Sequence, residues 1–469
     1  MGTFIKLFRE KNIYLILLFY TLYYVLTLIT AYTILEDEAW YANAAYSFSQ
    51  CEWVNTKLIG GGLPNFIYPV FEGIIFKLLG FSFLNARLTS FLFGFFSIII
   101  FRSILKLLNI KNHIIFIILL LFIFSPGYFH TFHIARPESA AVFFSLVSIL
   151  YFLKSKRNEK HEKINICLCS FFSGIAFLSH PFTFPIYLIF GGYYLIHFFK
   201  QKKLLNVFYF SIIAILIFFL FIINSYIVFG KNFEVILNRT SGNNSIIYNS
   251  GHFFVNFLSI RMLSKNGLLL ITFAILPGLI LWKNITLRFI SFTTIMYLII
   301  ASFIFSSSHV GNYLMLNYIG LFSIFSIAIL VNIYDKKIIL LICIFYIITY
   351  SILNIKKNHN NNISVHDEIN LLLNSKIPSG AKVYGDMRFW FLLPKTNFTA
   401  IYFNRYKKSL NETISESDWI LVCNDFAYNN VTNFYQILQS AHDMNVRLDT
   451  VLNIPTKQYG VIMVYKIYK

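Results

Sequence analysis

From Ile13 onward the chain repeatedly runs for about 20 residues with scarcely a charged side chain, the length of helix that crosses a hydrocarbon core of about 30 Å. About eleven such runs can be drawn, at 13–33, 86–103, 114–130, 137–153, 164–180, 182–199, 205–228, 267–281, 289–306, 313–331 and 338–355. In lipid only a helix or a closed barrel satisfies every backbone N–H and C=O. The predicted fold is therefore an α-helical polytopic membrane protein. Charged residues make up 13% of the chain, against about 25% in soluble domains, which agrees. The first run is long enough to span and no small-residue cleavage site follows it, so it reads as an anchor and not as a cleaved signal.

A net charge of +19 would in a soluble protein point to nucleic acid, because clustered Lys and Arg neutralise phosphates. Here the basic residues crowd into the short segments 1–12, 101–113, 154–163, 200–203, 282–288 and 332–337, and they are sparse in the alternate segments. That pattern orients helices in a plasma membrane with the basic segments inside. No nucleic-acid partner is expected. The N-terminus is then cytoplasmic, and an odd number of spans leaves everything after about residue 355 outside. The high Phe, Ile, Asn and Lys content looks like the usage of an AT-rich bacterial genome.

That tail reads differently from the rest. After a polar linker at Asn358–Asn362, Ala381–Asp386 and Asp418–Asp425 look like buried strands, Asn430–Met444 like a helix and Tyr459–Ile467 like a last strand. The expected organisation is a membrane domain at 1–355, with an outer loop at 34–85, and a small extracytoplasmic α/β domain at 356–469. Two of the five cysteines, Cys51 and Cys423, fall in outer segments, where a disulfide between them is one reading.

Chemistry gathers at the outer helix ends. Glu36-Asp37-Glu38 follows the first run directly. Carboxylates at a membrane boundary either face water in a solvated loop or line a functional cavity. Tyr41, Ala44, Ala45 and Phe48 then recur at helical spacing, as in an amphipathic helix lying in the interface. His133-Ile-Ala-Arg136-Pro137-Glu138 precedes the fourth run. Pro137 suits the first turn of a helix, with Arg136 at its entrance and Glu138 within it. The guanidinium is suited either to hold a phosphate in a fork or to pair with Glu138 as a structural bridge. Arg87 opens the second run on the same face, able to neutralise the acidic cluster or a lipid phosphate. His130, His133, His180 and His309 match no metal-ligand spacing, and no metal or cofactor is expected.

In this order, on one membrane face, Asp37-Glu38 with Tyr41-Ala42, Pro69 leading a second interfacial helix, Asn85-Ala-Arg87-Leu-Thr-Ser and Arg136-Pro-Glu138 resemble the GT-C superfamily of membrane glycosyltransferases. The likeness is to the branch of protein O-mannosyltransferases and lipid A aminoarabinose transferases, and it covers about the first 140 positions. Tyr68-Pro69-Val70 stands where the family often has Lys-Pro-Pro or His-Pro-Pro, and Asn312-Tyr313 where Arg-Tyr is common. The resemblance implies a sugar on a polyprenyl-phosphate carrier, transferred with inversion to a glycan, lipid or protein acceptor at the outer face. Asp37 is the implied base, with Glu38 beside it. Arg136, Arg87, Glu138, His133, Tyr68 and Tyr313 are the implied substrate and phosphate contacts. The donor carries its own leaving group, and no Gly-rich nucleotide loop is present.

Two other functions would share the hydropathy. A transporter or flippase of lipid-linked oligosaccharides should hold its charges near the midplane of the spans, whereas these lie at outer ends. A polymerase or ligase would carry a long catalytic loop late in the chain, for which segment 228–266 is available.

Overall fold

The structure, a computed structural model, describes residues 13–26, 36–52, 65–157, 159–201, 204–229, 265–304, 311–334, 364–393, 396–400, 410–423, 431–456 and 460–468. The run at 338–355, the linker at 358–362 and most of the 228–266 loop lie outside them.

The helices in chain order are α1 (Ile13–Leu26), α2 (Glu36–Ser49), α3 (Ile67–Leu79), α4 (Phe83–Leu107), α5 (Asn112–Phe124), α6 (Pro126–His133), α7 (Glu138–Arg157), α8 (Glu162–Ser179), α9 (Phe184–Gln201) and α10 (Leu204–Phe229). They continue with α11 (Lys265–Ile280), α12 (Ile285–Ile304), α13 (Gly311–Tyr334) and α14 (Ser364–Lys376). Among the described residues four helices are long and apolar enough to cross a bilayer, within α4, α7, α8 and α10. Five shorter apolar stretches lie in α1, α5, α11, α12 and α13.

Two local features depart from or refine the sequence reading. The run expected at 114–130 is broken, because Ser125 is extended (φ −66°, ψ 139°) and Pro126 starts a new helix. A residue before proline is pushed out of the helical region. At Ser179-His180-Pro181 the chain does divide, with α8 and α9 separated by a 3-10 turn over Pro181–Thr183.

The chain forms two compact units. The first takes residues up to Tyr24, 64–68 and 89–354, and its core is a continuous apolar cluster that includes Phe101, Phe122, Tyr128, Leu146, Phe190, Tyr297 and Phe322. Helices α7 and α8 pack along each other, with the Ser148 hydroxyl donating to the Cys169 carbonyl at 2.9 Å. Many apolar side chains of α10 are exposed, among them Phe208, Ile215 and Phe219, as expected of a helix whose outer face meets lipid.

The second unit joins residues 25–63 and 69–88 to 355–469. Its C-terminal part is a five-stranded sheet in the order β2-β1-β3-β5-β4, where β1 is Lys382–Gly385, β2 Asn397–Ala400, β3 Trp419–Cys423, β4 Arg447–Thr456 and β5 Gly460–Tyr468. Strand β1 pairs in parallel with β2 and β3, while β5 pairs antiparallel with β3 and β4. Helices α15 (Leu410–Glu416) and α16 (Val431–Asp443) cover the sheet, and Ile414, Ile420, Val422, Ile437 and Ile467 make its core. After β1 a 3-10 turn, Met387–Leu392, carries Trp390 and Phe391. Trp390 lies edge-on to Tyr46 of α2 and to Phe81, at 6.0 and 5.0 Å, and Phe391 stacks on Phe81 at 5.6 Å. The outer-loop helices and the sheet are thus tied by aromatic packing.

No disulfide joins Cys51 to Cys423. Cys51 is exposed and Cys423 buried, and both are free. The Cys423 thiol instead sits in a sealed cluster, 3.2 Å from Asp386 Oδ2 and 2.7 Å from Arg388 Nη2. Burial pushes the Asp386 carboxyl up, but the Arg388 guanidinium and its hydrogen bonds outweigh this and hold it below the usual value.

Candidate active site

Helix α2 begins on the acidic cluster, with the backbones of Glu36, Asp37 and Glu38 in its first turn. Its buried stripe is Glu38, Ala42, Ala45 and Ser49. Of the expected interfacial stripe of Tyr41, Ala44, Ala45 and Phe48, Ala45 is buried and the other three are half-buried. The reason is close helix packing: a Cβ on Gly73 of α3 would lie 2.7 Å from the Ala45 carbonyl oxygen and 2.9 Å from Phe48 Cβ. Small residues let the two backbones approach, and they carry Glu38 inward with them.

Glu38 is fully buried and meets Arg87 as a fork, Nε to Oε1 at 2.8 Å and Nη2 to Oε2 at 2.9 Å. The Arg87 guanidinium also lies over the Phe83 ring at 4.1 Å from its centroid. Of the two duties open to Arg87 in the sequence, the structure displays the pairing with the acidic cluster. The backbone of Asp37 lies in the first turn of α2, and that of Tyr313 in the first turn of α13. The side chains of both lie outside the described residues.

In the first unit, Glu138 starts α7 and Arg136 precedes it, as the position of Pro137 suggested. Arg136 Nη2 is 2.6 Å from Glu138 Oε1, with the side chains 22% and 7% exposed. Glu138 Oε2 has no hydrogen-bond partner. Beneath this pair runs a chain of hydroxyls. Tyr68 Oη is 3.0 Å from Ser90 Oγ, Ser90 Oγ is 3.1 Å from Ser139 Oγ, and the Ser139 hydroxyl donates to the Arg136 carbonyl at 2.9 Å. The tyrosine at the position where the family often has a basic residue is therefore linked through two serines to the backbone of Arg136.

His133 closes α6, buried, its ring centroid 4.8 Å from Tyr24 and 6.1 Å from Tyr23. His180 caps the 3-10 turn by accepting from the Phe182 N–H at 3.4 Å. Burial, with the charge of Arg136 second, pushes its imidazole down to about 3, so it is neutral. Among the described residues no three His, Cys, Asp or Glu side chains are grouped to hold a metal.

The sequence reading singles out neither Glu72 nor Ser90 nor Ser139 as a site residue, and weighs His180 only as a metal ligand. Ser90 ends the Asn85–Ser90 motif but was given no part. Glu72, in Tyr68-Pro-Val-Phe-Glu72-Gly, was legible as a lone acid in an otherwise apolar helix, a pattern that marks functional positions in membrane proteins. It is fully buried.

Residues 12–238 match the dolichyl-phosphate-mannose-protein mannosyltransferase family. No curated protein matches the chain significantly. Among solved structures, ArnT from Cupriavidus metallidurans bound to undecaprenyl phosphate is similar with a TM-score of 0.64 at 11% identity, over 96% of this chain and 97% of that one. The same protein in its apo state gives 0.63 at 12% identity with the same coverage. The family match over residues 12–238 and the likeness of fold to ArnT over nearly the whole chain agree with the resemblance that the acidic pair, Arg87 and Arg136-Pro-Glu138 carry.

Proposed function

We propose that the chain is a plasma-membrane glycosyltransferase that moves a sugar from a polyprenyl-phosphate carrier to a glycan, lipid or protein acceptor at the outer face. The acceptor hydroxyl or amine attacks the anomeric carbon as the bond from that carbon to the phosphate oxygen breaks. The carrier leaves as polyprenyl phosphate, the acceptor proton passes to a base, and the anomeric centre inverts. Such a step asks for a carboxylate near the acceptor and a cation near the departing phosphate. Asp37 is the base in this reading, on a helix start anchored by the adjacent Glu38–Arg87 fork. Arg136 takes the phosphate, oriented by Glu138, with Tyr68, His133 and Tyr313 as further contacts.

One observation carries the reading. Arg136 is braced at its side chain by Glu138 and at its carbonyl by the Ser139 hydroxyl, yet remains 22% exposed. Arg87, 3% exposed, is closed on its carboxylate. A braced, partly open guanidinium is preorganised for a phosphate fork. The likeness to a protein bound to undecaprenyl phosphate supports the same class of donor. Mass analysis of envelope glycans from cells with and without the chain tests it: a sugar missing only without the chain, restored by wild type and not by Arg136→Ala, is expected. Identical glycans in both would overturn the reading.

A further inference from the structure

Glu72 of α3 is fully buried, and among the described residues neither of its carboxyl oxygens has a hydrogen-bond partner. An orphaned buried polar group calls for a reason. Its neighbour Gly73 is where α2 and α3 touch backbone to side chain, at Ala45, Phe48 and Ser49, so water has little room to reach Glu72. The charged group whose field acts on it is Glu38 on α2, which Arg87 at the start of α4 already closes with two hydrogen bonds. Lys77, on its own helix, points to the surface, 3.7 Å from the Cys51 thiol.

An ionised Glu72 would set a second buried negative charge in the field of Glu38, whose own charge Arg87 already offsets. A neutral Glu72 leaves the Glu38–Arg87 pair balanced. We propose that Glu72 is a positioning residue, a neutral acid locked between α2 and α3 that keeps Arg87 on Glu38 and so fixes the helix start carrying Asp37. Burial, with the charge of Glu38 second, holds its carboxyl well above the usual carboxylate range, which fits the geometry. Loss of the proton sets two buried carboxylates against each other, which loosens the Glu38–Arg87 fork and shifts the first turn of α2. The proposal rests on the transferase reading for its consequence, though not for the state of Glu72 itself.

The test uses full-length protein purified in detergent: wild type, Glu72→Gln and Glu72→Leu. The infrared band of a protonated carboxyl should be present in wild type at about pH 8 and missing from both variants. An acid neutral in the fold and ionised when unfolded contributes stability that is complete below its unfolded value, about pH 4, and lost as pH rises through its folded one. Wild type should therefore lose melting temperature toward alkaline pH, while Glu72→Gln loses less and equals or exceeds wild type there. Transfer by wild-type membranes should fall about tenfold per pH unit above the titration of Glu72, a limb missing from Glu72→Gln.

An unchanged infrared band, parallel melting profiles or an alkaline limb retained in Glu72→Gln would each overturn the proposal. So would failure of both neutral variants to fold, since a neutral side chain should suffice there. If band and melting profiles behave as expected but no glycan depends on the chain, the transferase reading fails and the neutral state of Glu72 stands.

Discussion

Arg87 and Glu38 meet edge to edge, each of two guanidinium nitrogens on its own carboxylate oxygen, in a pair whose side chains are 3% and 0% exposed. Desolvation makes such a pair stable mainly against losing one member. Arg87→Ala leaves a buried carboxylate alone and should destabilise the protein by about 3–5 kcal/mol. Arg87→Met with Glu38→Gln removes both charges and should recover much of that loss. Thermal unfolding in detergent measures both. Simple addition of the two single effects would show that the pair is not coupled.

The Gly73 contact makes a second expectation. Alanine there places Cβ 2.7 Å from a backbone oxygen, which cannot rotate away, so α2 and α3 must part. Overpacking of this kind costs about 1–3 kcal/mol. Gly192→Ala is the control, because a Cβ there meets nothing within 4 Å. Equal melting temperatures for the two variants would mean the helices separate freely.

Much of this was legible in the sequence, for identifiable reasons. Run length and charge asymmetry are properties of the chain in its solvent, so most helix spans emerge from hydropathy. Arg136-Pro137-Glu138 carries its own helix start, because proline fixes φ and suits a first turn. The strands at Lys382–Gly385 and Trp419–Cys423 could be read because buried strands are continuous apolar runs. What stayed hidden depends on approach between distant segments. Arg87 reads in the sequence as able to neutralise the acidic cluster, but which of the three acids, 49 positions away in the case of Glu38, it takes depends on that approach. The break at Ser125-Pro126 was missed although proline signals it, because the apolar run continues through it. Of the buried stripe on α2 only Ala45 belongs to the expected one, because small residues there bury by contact with Gly73 and not by their own hydrophobicity.

Arg136 should contribute both charge and fork geometry to phosphate binding. A hydrogen bond to a charged group is worth about 1.5–3 kcal/mol. Affinity for undecaprenyl phosphate, measured on purified protein, should thus fall about 10- to 100-fold in Arg136→Ala, with Arg136→Lys intermediate. Unchanged affinity together with a lower yield of folded protein would reduce the Arg136–Glu138 pair to a structural brace.

The second unit should lie outside the cell. Ser379, exposed near the start of β1, provides a handle: Ser379→Cys in a Cys51→Ser background adds a surface thiol while Cys423 stays sealed against Asp386 and Arg388. A membrane-impermeant thiol reagent should label it in intact cells. Labelling only after the membrane is broken would place this unit in the cytoplasm and move the reaction to the other face.

Asp37 is the residue on which the chemistry turns. It lies in the first turn of α2, between Glu36 and a Glu38 whose two oxygens are both engaged by Arg87. A carboxylate with both oxygens already held by a guanidinium has neither one free to face an acceptor, which leaves Asp37 as the base of the two. Asp37→Asn keeps the size and removes the base, so transfer should fall by about 10²–10⁴ while folding and undecaprenyl-phosphate binding remain near wild type. Glu36→Gln should be much milder. Glu38→Gln should differ in kind, lowering the melting temperature because Arg87 loses its counter-charge. Turnover and melting temperature on the same preparations separate the three. Near-normal transfer by Asp37→Asn would sink the assignment and send the search for the base to Glu138, whose second oxygen is unpartnered.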